Sequence, residues 1–307
     1  LRKNRKGSKH IVDLRAYLNE KRAMVDAALE ACLAKPEGLA AEVTKAMRYS
    51  LFAGGKRLRP ILCIAGAEAV GGSGPDTLPV ACALELIHTY SLIHDDLPTM
   101  DNDDLRRGKP TSHKVFGEAT ALLAGDGLLT EAFYLMASPE ITERTAPQTL
   151  LKVIRHIAGA AGYRGMVGGQ MVDIQWEGKS VGLPVVEFIH TRKTGALITA
   201  AVTSGALMAG GTTSQLRALN AYGENIGLAF QISDDILDIE GDARTLGKAT
   251  GADQKVGKIT YPSVLGLSKS KELQYSLIEA AIGALNGLDE RAAPLREIAR
   301  FIIERKK

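Results

Sequence analysis

At 307 residues the chain is long enough for one large domain or two, and a hydrophobic content of 45% readily supports a buried core. A net charge of +3 and a pI near 8.6 are too mild to argue for a nucleic-acid partner. Cys32, Cys63 and Cys82 lack metal-ligand spacing and fit small buried thiols in a reducing cytoplasm, not a disulfide frame.

The chain opens on Leu, so a start further upstream is expected, and residues 1–10 read as a flexible basic segment with no apolar signal core after it. Apolar residues recur at helical spacing over Val80–His94, Thr149–Ala161 and Leu216–Leu237, while alternating strand-like runs are nearly absent. Gly71–Pro75 and Ser138–Pro147 read as inter-helix loops. The longest apolar stretch, Ala196–Ala209, is interrupted by Thr199, Thr203 and Ser204 and is too short to span a membrane; it reads as a core helix whose small residues permit close packing. No Pro/Ser-rich linker or block of like charge divides the middle, so a single all-α domain over residues 1–307 is expected.

Two aspartate clusters lie about 140 residues apart: Asp95, Asp96 and Asp101 around Leu97-Pro98, and Asp234, Asp235 and Asp238 around Ile236-Leu237. Both stand among apolar residues on segments that read as half-buried helices. Carboxylates there repel by roughly 4 kcal/mol per pair at close range, so they call for a cation, and all-oxygen donors point to Mg²⁺ more than to zinc or copper. Asp234 and Asp238 share a helix face. Asp95 and Asp101 do not, being about 240° apart on an ideal helix; Pro98 is expected to end the helix near Asp96, with a short loop carrying Asp101 back. An ordinary helix end can expose one such cluster; two of the same design favour shared work.

Cations accompany the carboxylates. Gly54-Gly55-Lys56 lacks the spacing and the Ser or Thr of a phosphate loop, yet its glycines let backbone amides approach an anion. If the segment is helical, Lys56 and Arg59 share a face; a solvated basic turn is the alternative. The helix entering the first cluster carries a polar stripe of Glu85, His88, Ser91 and Asp95, where a lone His88 could equally be a satisfied core residue. Arg106-Arg107-Gly108-Lys109 places two guanidinium groups just after the cluster, and Lys193-Thr194, Lys248 and Lys258 are single cations in low-charge surroundings. Metal-binding acids facing phosphate-binding cations imply a diphosphate substrate. No nucleophile elbow, Cys/His pair or dinucleotide fingerprint competes. Withdrawal of diphosphate as a leaving group, which leaves a carbocation, requires a dry apolar cavity.

In combination these motifs resemble those of the trans-isoprenyl diphosphate synthases, the farnesyl and geranylgeranyl diphosphate synthase family, from about Thr44 to the C-terminus. Asp95–Asp101 is similar to the first Asp-rich motif in its longer form, and Asp234–Asp238 to the second. The resemblance implies that Asp95, Asp96, Asp101, Asp234, Asp235 and Asp238 serve the metal, three Mg²⁺ per active site with Mn²⁺ as an alternative. Gly55, Lys56, Arg59, His88 and Arg107 fall where the family binds isopentenyl diphosphate. Arg106, Lys193, Thr194, Gln231, Lys248 and Lys258 fall where it binds the allylic diphosphate, dimethylallyl or geranyl. Gln170 and Asp173, within Gly168–Asp173, would line the cavity. An all-helical fold around a deep central cavity, a homodimer and a cytoplasmic enzyme are expected.

Tyr90, with Ser91 beside it, bears on product length. It lies five residues before Asp95, about 7.5 Å along a helix, and an aromatic there resembles bacterial farnesyl diphosphate synthases, giving a fifteen-carbon product. A twenty-carbon product is the nearest alternative, since a Tyr at helical spacing can also be simple core. More distant are a terpene cyclase, against which Lys56, Arg59 and His88 argue, and a non-catalytic synthase subunit, against which two intact Asp clusters argue.

Overall fold

The computed structural model describes residues 13–240 and 259–304; the basic start, Lys248 and Lys258 lie outside them. Helices dominate, as expected: α1 (Leu14–Cys32), α2 (Ala41–Leu51), α3 (Leu58–Ala69) and α4 (Leu78–Asp95) form the first half of the core wall. After a minimal hairpin of β1 (Leu105–Arg106) and β2 (Lys109–Pro110) come α5 (Ser112–Phe116), α6 (Glu118–Met136), α7 (Pro139–Thr142) and α8 (Pro147–Ala161). Then follow α9 (Met166–Trp176), α10 (Leu183–Ile189), a π-helical turn (His190–Gly195), α11 (Ala196–Met208) and α12 (Thr213–Glu240). The chain closes with α13 (Tyr261–Leu265), α14 (Leu267–Ala284) and α15 (Ala293–Glu304).

Three sequence expectations need adjustment. The Ser138–Pro147 loop contains α7, a single turn opened by Pro139 in the first helical position. Gly71–Pro75 is irregular but runs directly into a 3₁₀ turn, Pro75–Thr77. Lys56 and Arg59 do not share a helical turn, because α3 begins only at Leu58 and Arg57 before it is left-handed, with φ 52°.

Helix α11 is the hub. Every residue from Leu197 to Ala206 is buried, and the helix packs against α3, α4, α8 and α12. Its small residues are needed for that: a Cβ on Gly205 would fall 1.8 Å from the Cys63 carbonyl of α3. Helix α4 is buried on most of its surface between α3 and α6, and each Leu or Ile removed from water there contributes about 2 kcal/mol. A second apolar cluster of Val186, Ile232, Ile236, Ile259 and Tyr261 fastens α12 to α10 and α13. Polar ties finish the frame. Tyr222 Oη donates to the Leu295 carbonyl at 2.6 Å and Ser233 Oγ to that of Ile302 at 3.0 Å. All three cysteines are free, and burial pushes the Cys63 thiol up to about 12. Among the described residues no helix is long and apolar enough to cross a membrane.

Candidate active site

The first aspartate cluster forms at the C-terminal end of α4. Asp96 caps the helix, and the chain turns through Pro98 so that the Asp101 amide donates to the Asp95 carbonyl at 2.9 Å and the Asn102 amide to the Leu97 carbonyl at 3.1 Å. The loop closes on Asn102 at φ 51°, a left-handed position that Asn tolerates. Burial pushes the Asp95 carboxyl up to about 6; Lys193 opposes this and Asp101 adds to it. Asp96 points elsewhere. Its carboxylate is buried and clasped by Arg106, whose Nε and Nη2 donate across 2.6–2.8 Å. Burial raises the Asp96 pKa, and Arg106 offsets the rise.

The second cluster divides in the same way. On α12, Asp234 is exposed and Asp238 half-buried, four residues apart on one face, whereas Asp235 is buried. The Asp235 oxygens accept from Gln231 Nε2 at 3.1 Å and from the Tyr261 amide at 3.0 Å, and His190 Nε2 lies 3.7 Å away. The six-aspartate set expected from sequence therefore separates by geometry. Asp96 and Asp235 are turned into the protein and satisfied there, because each is the neighbour in an Asp-Asp pair and points about 100° away from its partner on a helix.

Between the clusters sits the π turn His190–Gly195, in which one extra residue per turn widens the helix. Lys193 Nζ donates to Asp173 of α9 at 2.6 Å while remaining within electrostatic reach of Asp95. Thr194 Oγ1 donates to Gln231 Oε1 at 2.9 Å, so a chain of hydrogen bonds runs Thr194, Gln231, Asp235, Tyr261. Helix α9 approaches this turn backbone to backbone, since a Cβ on Gly169 would meet the Lys193 nitrogen at 2.2 Å. The side-chain amide of Gln170, next along α9, has both its nitrogen and its oxygen buried without a hydrogen-bond partner among the described residues.

A cationic group gathers around His88, about two helical turns before Asp95 on α4. In the hairpin, Arg107 and Gly108 have φ of 54° and 76°, the two-residue turn that matches strand twist. That turn splits the arginines. Arg106 reaches Asp96, and Arg107 donates to the Gly54 carbonyl with its guanidinium against Gly55, where a Cβ would lie 2.8 Å from it. Arg59 lies within electrostatic reach of Arg107, Glu85 and Asp234; burial drops its pKa to about 10, and its Nε is buried without a hydrogen-bond partner among the described residues. Burial and then the charges of Arg59, Arg107 and Arg106 hold His88 well below the ordinary imidazole value. Lys56 is exposed beside them. Of the cations named from the sequence, only Lys248 and Lys258 fall outside the described residues.

One residue was missed from sequence. Arg57 is buried and donates to Asp26 of α1, Glu85 of α4 and the Leu51 carbonyl of α2, each at 2.8 Å. It pins the turn that presents Lys56 and Arg59. The signal was available, since Glu85 is an acid in a wholly apolar stretch of α4 and needed a buried partner.

Among the described residues no three carboxylate, imidazole or thiolate groups converge closely enough to hold an ion unaided. Asp95, Asp101 and Asp234 nevertheless offer hard oxygen donors, and Mg²⁺-type ions are ordinarily held by one or two carboxylates with substrate phosphates completing the shell. The donor chemistry fits a divalent ion that shares its ligands with a diphosphate.

Residues 40–297 match the family model described as polyprenyl synthetase, and the chain belongs to that family. It is 50% identical to the farnesyl diphosphate synthase of Geobacillus stearothermophilus over 94% of this chain and 97% of that protein. It is 47% identical to the heterodimeric geranylgeranyl pyrophosphate synthase large subunit 1, chloroplastic, of Arabidopsis thaliana over 96% and 80%. An apo FPP/GFPP synthase from Zymomonas mobilis superposes with a TM-score of 0.85 at 39% identity, over 95% of this chain and 99% of that one. The geranylgeranyl pyrophosphate synthetase of Pyrococcus horikoshii does so with a TM-score of 0.87 at 31% identity, over 95% and 98%. The chain is thus a trans-prenyltransferase, of a family that binds isopentenyl and allylic diphosphates and uses a divalent metal to ionise the latter.

Proposed function

We propose that this chain, acting as one helical domain and as a cytoplasmic homodimer, condenses isopentenyl diphosphate with dimethylallyl and then geranyl diphosphate to give farnesyl diphosphate. The reading is carried by the division of cations about α4: Arg59, Arg107 and His88 gather at the Gly54–Gly55 turn, and Lys193 stands beside Asp95 at the helix end. Two diphosphates held apart on one rigid helix is what head-to-tail coupling requires. The names of the relatives agree with the class and divide over the product.

Asp95, Asp101 and Asp234, with Asp238 behind them, would hold Mg²⁺, which supplies Lewis-acid stabilisation of the departing diphosphate; Mn²⁺ is the alternative, and three ions per site is the family expectation. Lys193 and Arg106 neutralise charge that grows on the allylic diphosphate as its carbon–oxygen bond breaks. Asp173 and Asp96 hold those two cations in position. The Thr194 and Gln231 oxygens would turn their dipoles toward the allylic cation. Lys56, Arg59 and Arg107 orient isopentenyl diphosphate, whose double bond forms the new carbon–carbon bond, and a proton then leaves to the released diphosphate. Neutral His88 donates a hydrogen bond without adding charge. Lys248 and Lys258 are proposed for the allylic diphosphate on sequence alone. The exposed Leu122 and Leu123 of α6 support pairing of two copies on that face.

Tyr90 supports the fifteen-carbon product. Its ring is buried on α4, five residues from Asp95, where it would act as the floor of the growing chain. Purified protein given dimethylallyl and isopentenyl diphosphates should yield mainly the fifteen-carbon product, and Tyr90→Ala should lengthen it. A twenty-carbon parent product would refute the farnesyl assignment, and an unchanged product after the substitution would refute the floor.

A further inference from the structure

We infer that His94 is a positioning residue for product length, holding the Tyr90 ring in place by bridging it to α6. This rests on Tyr90 being the floor. The two side chains are one helical turn apart on α4 and meet edge to face, with ring centroids 5.6 Å apart and planes at 78°. On its far side the imidazole is fixed: Nε2 lies 3.0 Å from the Leu122 carbonyl of α6. A carbonyl only accepts, so Nε2 carries the hydrogen and donates it. Asp126 stands 3.9 Å from the same nitrogen.

Helix α6 is shaped to receive the ring. A Cβ on Gly125 would fall 2.1 Å from His94 Nε2 and 2.4 Å from Cδ2, so any larger residue there must displace the imidazole. A glycine inside a helix costs about 1 kcal/mol relative to alanine, and the contact with His94 gives that cost a structural reason. The immediate neighbour of His94 is Asp95, yet the imidazole points away from the carboxylate cluster and toward the floor. Its effect is on the ring that ends chain growth, since a Tyr without its edge contact can swing into other rotamers and admit one more five-carbon unit.

The test is product distribution from dimethylallyl and isopentenyl diphosphates, measured with thermal melting to check the fold. His94→Ala should raise the ratio of products beyond fifteen carbons by about fivefold, the scale of an aromatic edge contact. Gly125→Ala, which leaves His94 in the chain but pushes it aside, should shift the ratio in the same direction. His94→Gln, whose amide reaches the Leu122 carbonyl but offers no ring edge to Tyr90, should shift the ratio as His94→Ala does. In a Tyr90→Ala background, His94→Ala should add nothing. If Tyr90→Ala lengthens the product while His94→Ala and Gly125→Ala fold and leave the distribution unchanged, the bridge is wrong and the floor stands. If Tyr90→Ala itself has no effect, the floor fails first and the bridge with it. Should His94→Ala not fold, Gly125→Ala and His94→Gln decide alone.

Discussion

The amide of Asp101 donates to the carbonyl of Asp95 across 2.9 Å, so two carboxylates that an unbroken helix would place on different faces stand together at the end of α4. The bond is made by the backbone, so their proximity survives loss of either side chain. Asp101→Ala should therefore keep the fold and its melting temperature within a few degrees while lowering kcat by about 10³-fold, the scale of a lost transition-state charge contact. Steady-state kinetics beside a melting curve checks this, and a drop in melting temperature matching the drop in rate would point to a structural role instead.

The Asp96–Arg106 clasp predicts a loss of stability as well as of rate. With Asp96 buried and Arg106 partly exposed, Arg106→Ala leaves a carboxylate without its partner and should cost about 2 kcal/mol of stability, besides reducing the rate. Asp96→Asn in the same chain should recover part of the stability and none of the rate. Urea unfolding of the two single variants and the double variant measures the coupling.

Arg57 and Glu85 form a pair in which both side chains are 3% exposed. Breaking it by Glu85→Leu should destabilise by about 3–5 kcal/mol, and adding Arg57→Met should return most of that. Because Arg57 pins the turn beside Lys56 and Arg59, the double variant should still show a raised KM for isopentenyl diphosphate with little change in KM for the allylic partner. Equal changes in both would mean that the pair supports the fold alone.

His88 gives the pH prediction. Burial and the nearby arginines depress its pKa in the folded chain, so the unfolded chain binds the extra proton first. Stability should then fall as pH drops below the ordinary imidazole value and should be fully present above it. The ligand-free His88→Gln variant should lose less melting temperature than the parent over that acid range. Parallel curves for the two proteins would rule the effect out.

Much of this was legible in the chain because the helices are amphipathic or wholly apolar over long runs. Val80–His94 and Leu216–Leu237 each fall within a helix only a few residues longer, and Pro98 marked the end of α4. The π turn was not legible, since periodicity does not report one inserted residue between two helices. The burial of Asp96 and Asp235 was hidden as well: adjacent aspartates look equivalent until the hairpin brings Arg106 back to one and the segment after α12 brings the Tyr261 amide to the other. Arg57 was overlooked because its left-handed backbone breaks the helical spacing assumed for Lys56 and Arg59.

The widened turn at His190–Gly195 also constrains how this protein can change. Deleting one residue there would regularise the helix, yet it would rotate everything downstream by about 100° and carry Gly205 away from the Cys63 carbonyl it must clear. The irregularity is thereby locked by a helix buried from Leu197 to Ala206, and mutational drift cannot trim the bulge without dismantling the interior at the same stroke.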